Sequence, residues 1–106
     1  MPVLPVGYIN QAELATEVER AARKLGPAVV RLSHSVRADT SDEPSIFFRI
    51  VLTDSASEEE HLADVTGEIT KILFDELHPY ENWGLIPYFS FRSQSEQARY
   101  HNLAWA

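Results

Sequence analysis

Ala28-Val29-Val30-Arg31-Leu32-Ser33-His34-Ser35-Val36-Arg37 and Ile46-Phe47-Phe48-Arg49-Ile50-Val51-Leu52-Thr53 decide how this chain folds. In the first run Ala28, Val30, Leu32, His34 and Val36 alternate with Val29, Arg31, Ser33, Ser35 and Arg37. In the second, Ile46, Phe48, Ile50 and Leu52 alternate with Phe47, Arg49, Val51 and Thr53. Period two is strand spacing, because successive side chains point to opposite faces of a sheet. Residues 38–45 between the runs are small, polar and acidic and contain Pro44, so the runs read as an antiparallel hairpin with one apolar face.

Working outward, the flanking segments change to helical period. Upstream, Asn10 and Glu13 have capping-box spacing, and Ile9 and Leu14 stand at the two positions of a hydrophobic staple. Leu14, Val18, Ala21, Ala22 and Leu25 then form one stripe, Glu19 and Arg23 are set for an i,i+4 pair, and Gly26-Pro27 gives the stop. Downstream, Ser57 and Glu60 make a second capping-box pattern, with Glu58, Glu59 and Glu60 near the positive end of the helix dipole. Leu62, Val65, Ile69, Ile72, Leu73 and Leu77 form the stripe, and Pro79 after His78 ends it. Gly67 interrupts this helix at a cost of about 1 kcal/mol against alanine, which close approach of the sheet or the other helix would explain.

A turn through Glu81-Asn82-Trp83-Gly84 leads to a third strand, Leu85–Ser93, where Pro87 marks an edge or an entrance. The prediction is a single α+β domain over residues 1–106, a two-layer sandwich of order αββαβ with two helices on one face of a three-stranded sheet. Residues 1–9 are read as an N-terminal arm and residues 94–106 as a C-terminal tail, either a short helix or a docking segment. Should residues 3–8 pair as a strand, the order becomes βαββαβ, the ferredoxin-like pattern, although Pro2 and Pro5 make that strand poor.

Composition narrows the function classes. At 106 residues, 44% apolar and net charge −7, the chain has the size and balance of one globular domain. The absence of cysteine removes disulfides, thiolate catalysis and cysteine-ligated metals. No run approaches the roughly 20 apolar residues of a membrane span, and the first residues lack a signal-peptide pattern, so a cytoplasmic location is expected. The four glycines stand alone, without a phosphate-binding loop, and no serine stands beside a recognisable base. No cofactor is expected and the balance leans away from catalysis, with a small metal-binding protein or enzyme built around His34 or the helix-end histidines kept as an alternative. His61 with Asp64, and Asp75 with His78, have i,i+3 spacing that could share a metal, but such pairs are common and carry no metal prediction. His34 falls on the inner face, where a histidine is usually a core residue with hydrogen-bond partners.

The outer face is the candidate working surface. Strand parity places Arg31, Arg37, Arg49 and Arg92 there with Phe47, Val51, Tyr88, Ser33, Ser35 and Ser90, while Asp and Glu are absent from all three strands. Arginine forks suit carboxylates and phosphates, and the rings suit stacking. Arginine stems also shield apolar neighbours in proteins that bind nothing. The expectation is a non-enzymatic interaction module, binding through Arg31, Arg37, Arg49, Arg92, Tyr88 and Phe47. Its partner would be first a second copy, in a homodimer using this face and the edge of the third strand, and after that an anionic ligand or an acidic protein. Nucleic acid is less favoured, since the remaining surface would repel its backbone.

Overall fold

The computed structural model describes residues 9–100. The strands are β1 (Val29–Ala38), β2 (Pro44–Leu52) and β3 (Ile86–Ser93), and the helices α1 (Gln11–Ala22), α2 (Glu59–Leu77), α3 (Pro79–Trp83) and α4 (Gln94–Tyr100). β2 is the central strand, antiparallel to β1 and parallel to β3. This is the expected α+β arrangement, with the order αββαβ elaborated by two short helices. Because β2 and β3 are hydrogen-bonded neighbours, no strand splits the β2–α2–β3 unit as a ferredoxin-like pattern would require. Residues 3–8, the segment that pattern depends on, lie outside the described residues.

Local chemistry sets the helix ends. Asn10 caps α1, its side-chain oxygen accepting from the Glu13 amide at 3.0 Å, and Ile9 and Leu14 are both buried. Gly26 takes φ +78°, where a side chain would be strained. The ion pair within α1 joins Arg20 to Glu17 rather than Glu19 to Arg23, and Lys24 bridges to Glu76 of α2 at 2.9 Å.

α2 begins differently from expectation. Ser57 does not cap it: its hydroxyl donates to the Thr53 carbonyl, and Thr53 Oγ1 accepts from the Ala56 amide. Thr53 thus organises a separate turn, and α2 starts two residues after Ser57, behind Glu58, without a side-chain cap. At its other end His78 adopts the left-handed conformation, φ 43°, and Pro79 starts α3 instead of a simple turn. Gly84, also left-handed, ends α3 by donating to the carbonyls of Pro79 and Tyr80.

One core lies between the helices and the sheet. Ile46, Phe48, Ile50 and Leu52 of β2 are fully buried with Leu14, Val18 and Ala21 of α1 and Ile69, Leu73 and Leu77 of α2. Phe89 and Phe91 of β3 and Trp83 of α3 pack on its margin, as the parity of the third strand requires. Leu62, assigned to the buried stripe, is instead exposed.

Two further expectations are corrected. The β1–β2 register shifts between Val29 and Arg31, a β-bulge. Val29 therefore faces Leu52 and packs against the core, while Val30, expected inside, is 47% exposed. Gly67 has no close neighbour: a Cβ built there would meet nothing within 4 Å.

Candidate partner-binding face

Strand register arranges the outer face in four rows across β1, β2 and β3. They are Arg31–Val51–Arg92, Ser33–Arg49–Ser90, Ser35–Phe47–Tyr88 and Arg37–Ser45–Ile86. Rows two residues apart lie about 6.7 Å from one another, so the face is about 20 Å long. All six predicted site residues fall on it, in two groups.

At one end, Phe47 and Tyr88 stack with ring centroids 5.0 Å apart and planes 12° from parallel. The Arg37 guanidinium lies 3.8 Å from the centre of the Phe47 ring. Since β1 and β3 flank β2 on opposite sides, Phe47 is held between the cation and the tyrosine. The Tyr88 hydroxyl donates to Asp39 Oδ2 at 2.7 Å, and Asp39 Oδ1 accepts from the amides of Ser41 and Glu43. The hydrogen bond from Tyr88, followed by that from Glu43, holds the Asp39 carboxyl below its ordinary pKa, and Asp39 raises that of the phenol. A shallow hollow of about 230 Å³ is lined by Arg37, Asp39, Thr40, Phe47 and Tyr88.

Toward the other end, Arg31 and Arg92 flank Val51 in one row, and Arg49 stands in the next. Although Val51 points away from the helical core, it is only 3% exposed. Its row neighbours are the Arg31 and Arg92 stems, and α4 packs against β3 and β2. Arg92 Nη1 donates to Gln97 Oε1 at 3.1 Å, and its guanidinium lies 5.5 Å from the centre of the Tyr100 ring. Arg49 Nη1 donates to Ser35 Oγ at 2.9 Å, in a row flanked by Ser33 and Ser90.

Of the tail read from 94 to 106, Gln94–Tyr100 is thus the helix α4; the remainder lies outside the described residues. Its start is a reciprocal capping box, with the Glu96 amide donating to Ser93 Oγ and the Ser93 amide to Glu96 Oε1. The Ser93 contacts lower the Glu96 pKa. Asp54 anchors the same turn, accepting from the Ser95 hydroxyl at 2.6 Å and the Ser95 amide at 2.9 Å, and these bonds lower its pKa too. The Ser93-x-x-Glu96 spacing was readable in the sequence, whereas Asp39 and Asp54 join the site through contacts that only the fold creates.

The histidines stay apart from this face. His34 is on the inner side of β1, half-buried, and burial, with Arg49 adding, lowers its pKa. His78 turns to Glu81 at 3.9 Å while Asp75 binds Lys71 at 2.7 Å, so the suggested Asp75–His78 pair does not assemble. His61 groups with Glu58 and Glu60 rather than Asp64, all three exposed, with donor atoms within 4.8 Å. His101 lies outside the described residues. A hollow of about 500 Å³ lies in the helical layer, where Glu17 and Glu76 already pair with Arg20 and Lys24. Among the described residues no helix is long and apolar enough to cross a membrane.

No family model, no curated protein and no solved structure matches this chain.

Proposed function

We propose that this protein is a non-enzymatic binding module whose outer sheet face receives an acidic protein partner. The observation that carries the reading is the placement of Arg31, Arg49 and Arg92 in two adjacent rows of the outer face, on strands that contain no carboxylate. Guanidinium groups on adjacent rigid strands are pre-ordered for carboxylates, and forked donors give such pairs geometric specificity.

The same geometry ranks the other partners. Phe47 is flanked by Arg37 and Tyr88, which leaves a nucleobase only the exposed Tyr88 ring to stack on. A long polyanion would also run past the 20 Å patch onto acidic loops, with Asp39, Asp42 and Glu43 at one end and Asp54 and Glu96 at the other. Two copies stacked face to face would oppose arginine with arginine unless acidic loops intervened.

The test is fluorescence anisotropy with a labelled glutamate-rich peptide, beside an oligothymidylate of equal length. The peptide should bind, and Arg49→Glu with Arg92→Glu should weaken it by about tenfold or more. Exposed Arg31→Glu provides a second variant that leaves the packed arginines in place. Tighter binding of the oligothymidylate, with affinity falling steeply from about 50 mM to about 200 mM salt, would instead favour nucleic acid. Unchanged peptide binding in both variants would overturn the reading, and a dimer by light scattering that dissociates in them would assign the face to self-association.

A further inference from the structure

The two edges of the sheet are not equivalent. β3 is blunted: Pro87 removes a backbone donor, α3 and α4 abut its two ends, and Tyr88 is fastened by Asp39. Apart from the bulge at its Val29 end, β1 has none of these protections. It is ten residues long, contains no proline and, among the described residues, pairs only with β2. N–H and C=O groups alternate sides along a strand, so half of those on β1 point away from β2.

The side chains of β1 are unfinished in the same sense. On β2 the inner residues are fully buried, but Leu32, His34 and Val36 of β1 are only half-buried although they pack toward the same core. On the outer side Arg31 and Arg37 stand exposed at the two ends of Ser33 and Ser35. A strand added beyond β1 would cover both deficits at once. Its backbone would satisfy the edge, one set of its side chains would extend the core, and the other would meet the two arginines.

Resting on the proposed acidic-partner reading, we infer that the partner binds by strand addition to β1, through a seven-residue stretch alternating acidic or polar with apolar residues. Two acidic residues six positions apart lie opposite Arg31 and Arg37, because cross-strand pairs of opposite charge are favourable. The apolar residues at the second, fourth and sixth positions face Leu32, His34 and Val36. The pattern follows from β1 alone, since alternate positions of an added strand share a face. A second copy is a worse occupant: pairing β1 with itself in the antiparallel register centred on His34 sets Arg31 opposite Arg37, like charge against like.

The probe is the peptide Gly-Asp-Val-Thr-Leu-Ser-Val-Asp-Gly, compared with the same peptide N-methylated at alternate backbone amides and with one carrying Lys for both Asp. Amide hydrogen exchange of the whole protein supplies the location. The first peptide should bind and slow the outward-pointing amides of β1 by on the order of tenfold or more, and the other two should not. Arg31→Glu with Arg37→Glu, both at exposed positions, should reverse the preference toward the lysine peptide. Binding that leaves β1 exchange unchanged but disappears in Arg49→Glu with Arg92→Glu would overturn strand addition while keeping the acidic-partner reading. Failure of this peptide and of the glutamate-rich peptide would remove both. Outward β1 amides already slow in the protein alone, or a dimer that protects them, would also overturn the inference, because the edge would then be taken.

Discussion

The central strand shows its two sides built by different physics. Toward the helices, Ile46, Phe48, Ile50 and Leu52 are fully buried among apolar neighbours, held mainly by contacts without direction. Away from them, Ser45 and Val51 are buried as well, but by specific partners. The Ser45 hydroxyl donates to the Glu43 carbonyl at 2.9 Å, and Val51 lies beneath arginine stems and close to α4. Phe47 is enclosed by a cation and a ring. The inner face fixes the fold, and the outer face fixes the placement of charge. Substitutions on the first should therefore move stability, and those on the second should move binding and titration.

The largest effect expected is that of Phe48→Ala. It removes a fully buried ring that also stacks on Phe89 at 5.2 Å, and should cost about 3–5 kcal/mol in chemical denaturation. A cost under about 1 kcal/mol would mean that the two sides are not energetically distinct. Val51→Ala removes two carbons from the other side of the same strand and should cost about 1.5 kcal/mol. That figure depends on α4 and the arginines staying in place. A cost near zero would mean that the cover over Val51 opens in solution.

Gly67→Ala tests the contrast from the helical layer. With open space at its Cβ and no positive φ, alanine should stabilise the protein by about 1 kcal/mol, read as a higher denaturation midpoint with unchanged slope. A loss would show that something approaches Gly67 closely in solution.

Much of the inner face was legible because burial and periodicity are local signals. The stripes of α1 and α2, the hairpin and the third strand all follow from spacing, as does the gathering of the six predicted site residues on one face. What escaped the sequence was competition and insertion. Strict alternation cannot register the extra residue at Val30, so Val29 and Val30 exchanged sides. Ser57 has the right spacing for a cap, but Thr53, four residues earlier, engages its hydroxyl first. The aromatic face was read as open for stacking, whereas Arg37 and Tyr88 enclose Phe47 in a contact spanning three strands.

His34 gives a pH test of the inner side. Its pKa is lowered by burial and then by Arg49, so the unfolded chain binds a proton more readily than the folded one. Stability should be full above about 6.5, the unfolded value, and decline as pH falls toward the lower folded value. His34→Gln should flatten the profile between about pH 7 and about pH 5. A profile identical to that of the parent protein would place the imidazole in water.

The smallest effect belongs to the outer face, where Asp39 and Tyr88 link the hairpin loop to the edge strand. Asp39 has a depressed pKa, so its contribution is present above the unfolded carboxylate value and lost as pH falls through the lower folded one. Tyr88 is shifted the other way: its contribution is present below the ordinary phenol value and lost as pH rises through the elevated folded one. Tyr88→Phe removes the first cause of the Asp39 shift but leaves the Glu43 and Ser41 amides in place. The Asp39 titration, followed by carboxyl-carbon NMR, should therefore move part of the way back toward the ordinary value. The ring stack with Phe47 needs no hydroxyl, so the fold should be unaffected. An unmoved Asp39 titration would show that the loop amides alone set it, and that the loop is not tied to β3. A full return would show that the hydroxyl also holds the loop in the shape that presents those amides.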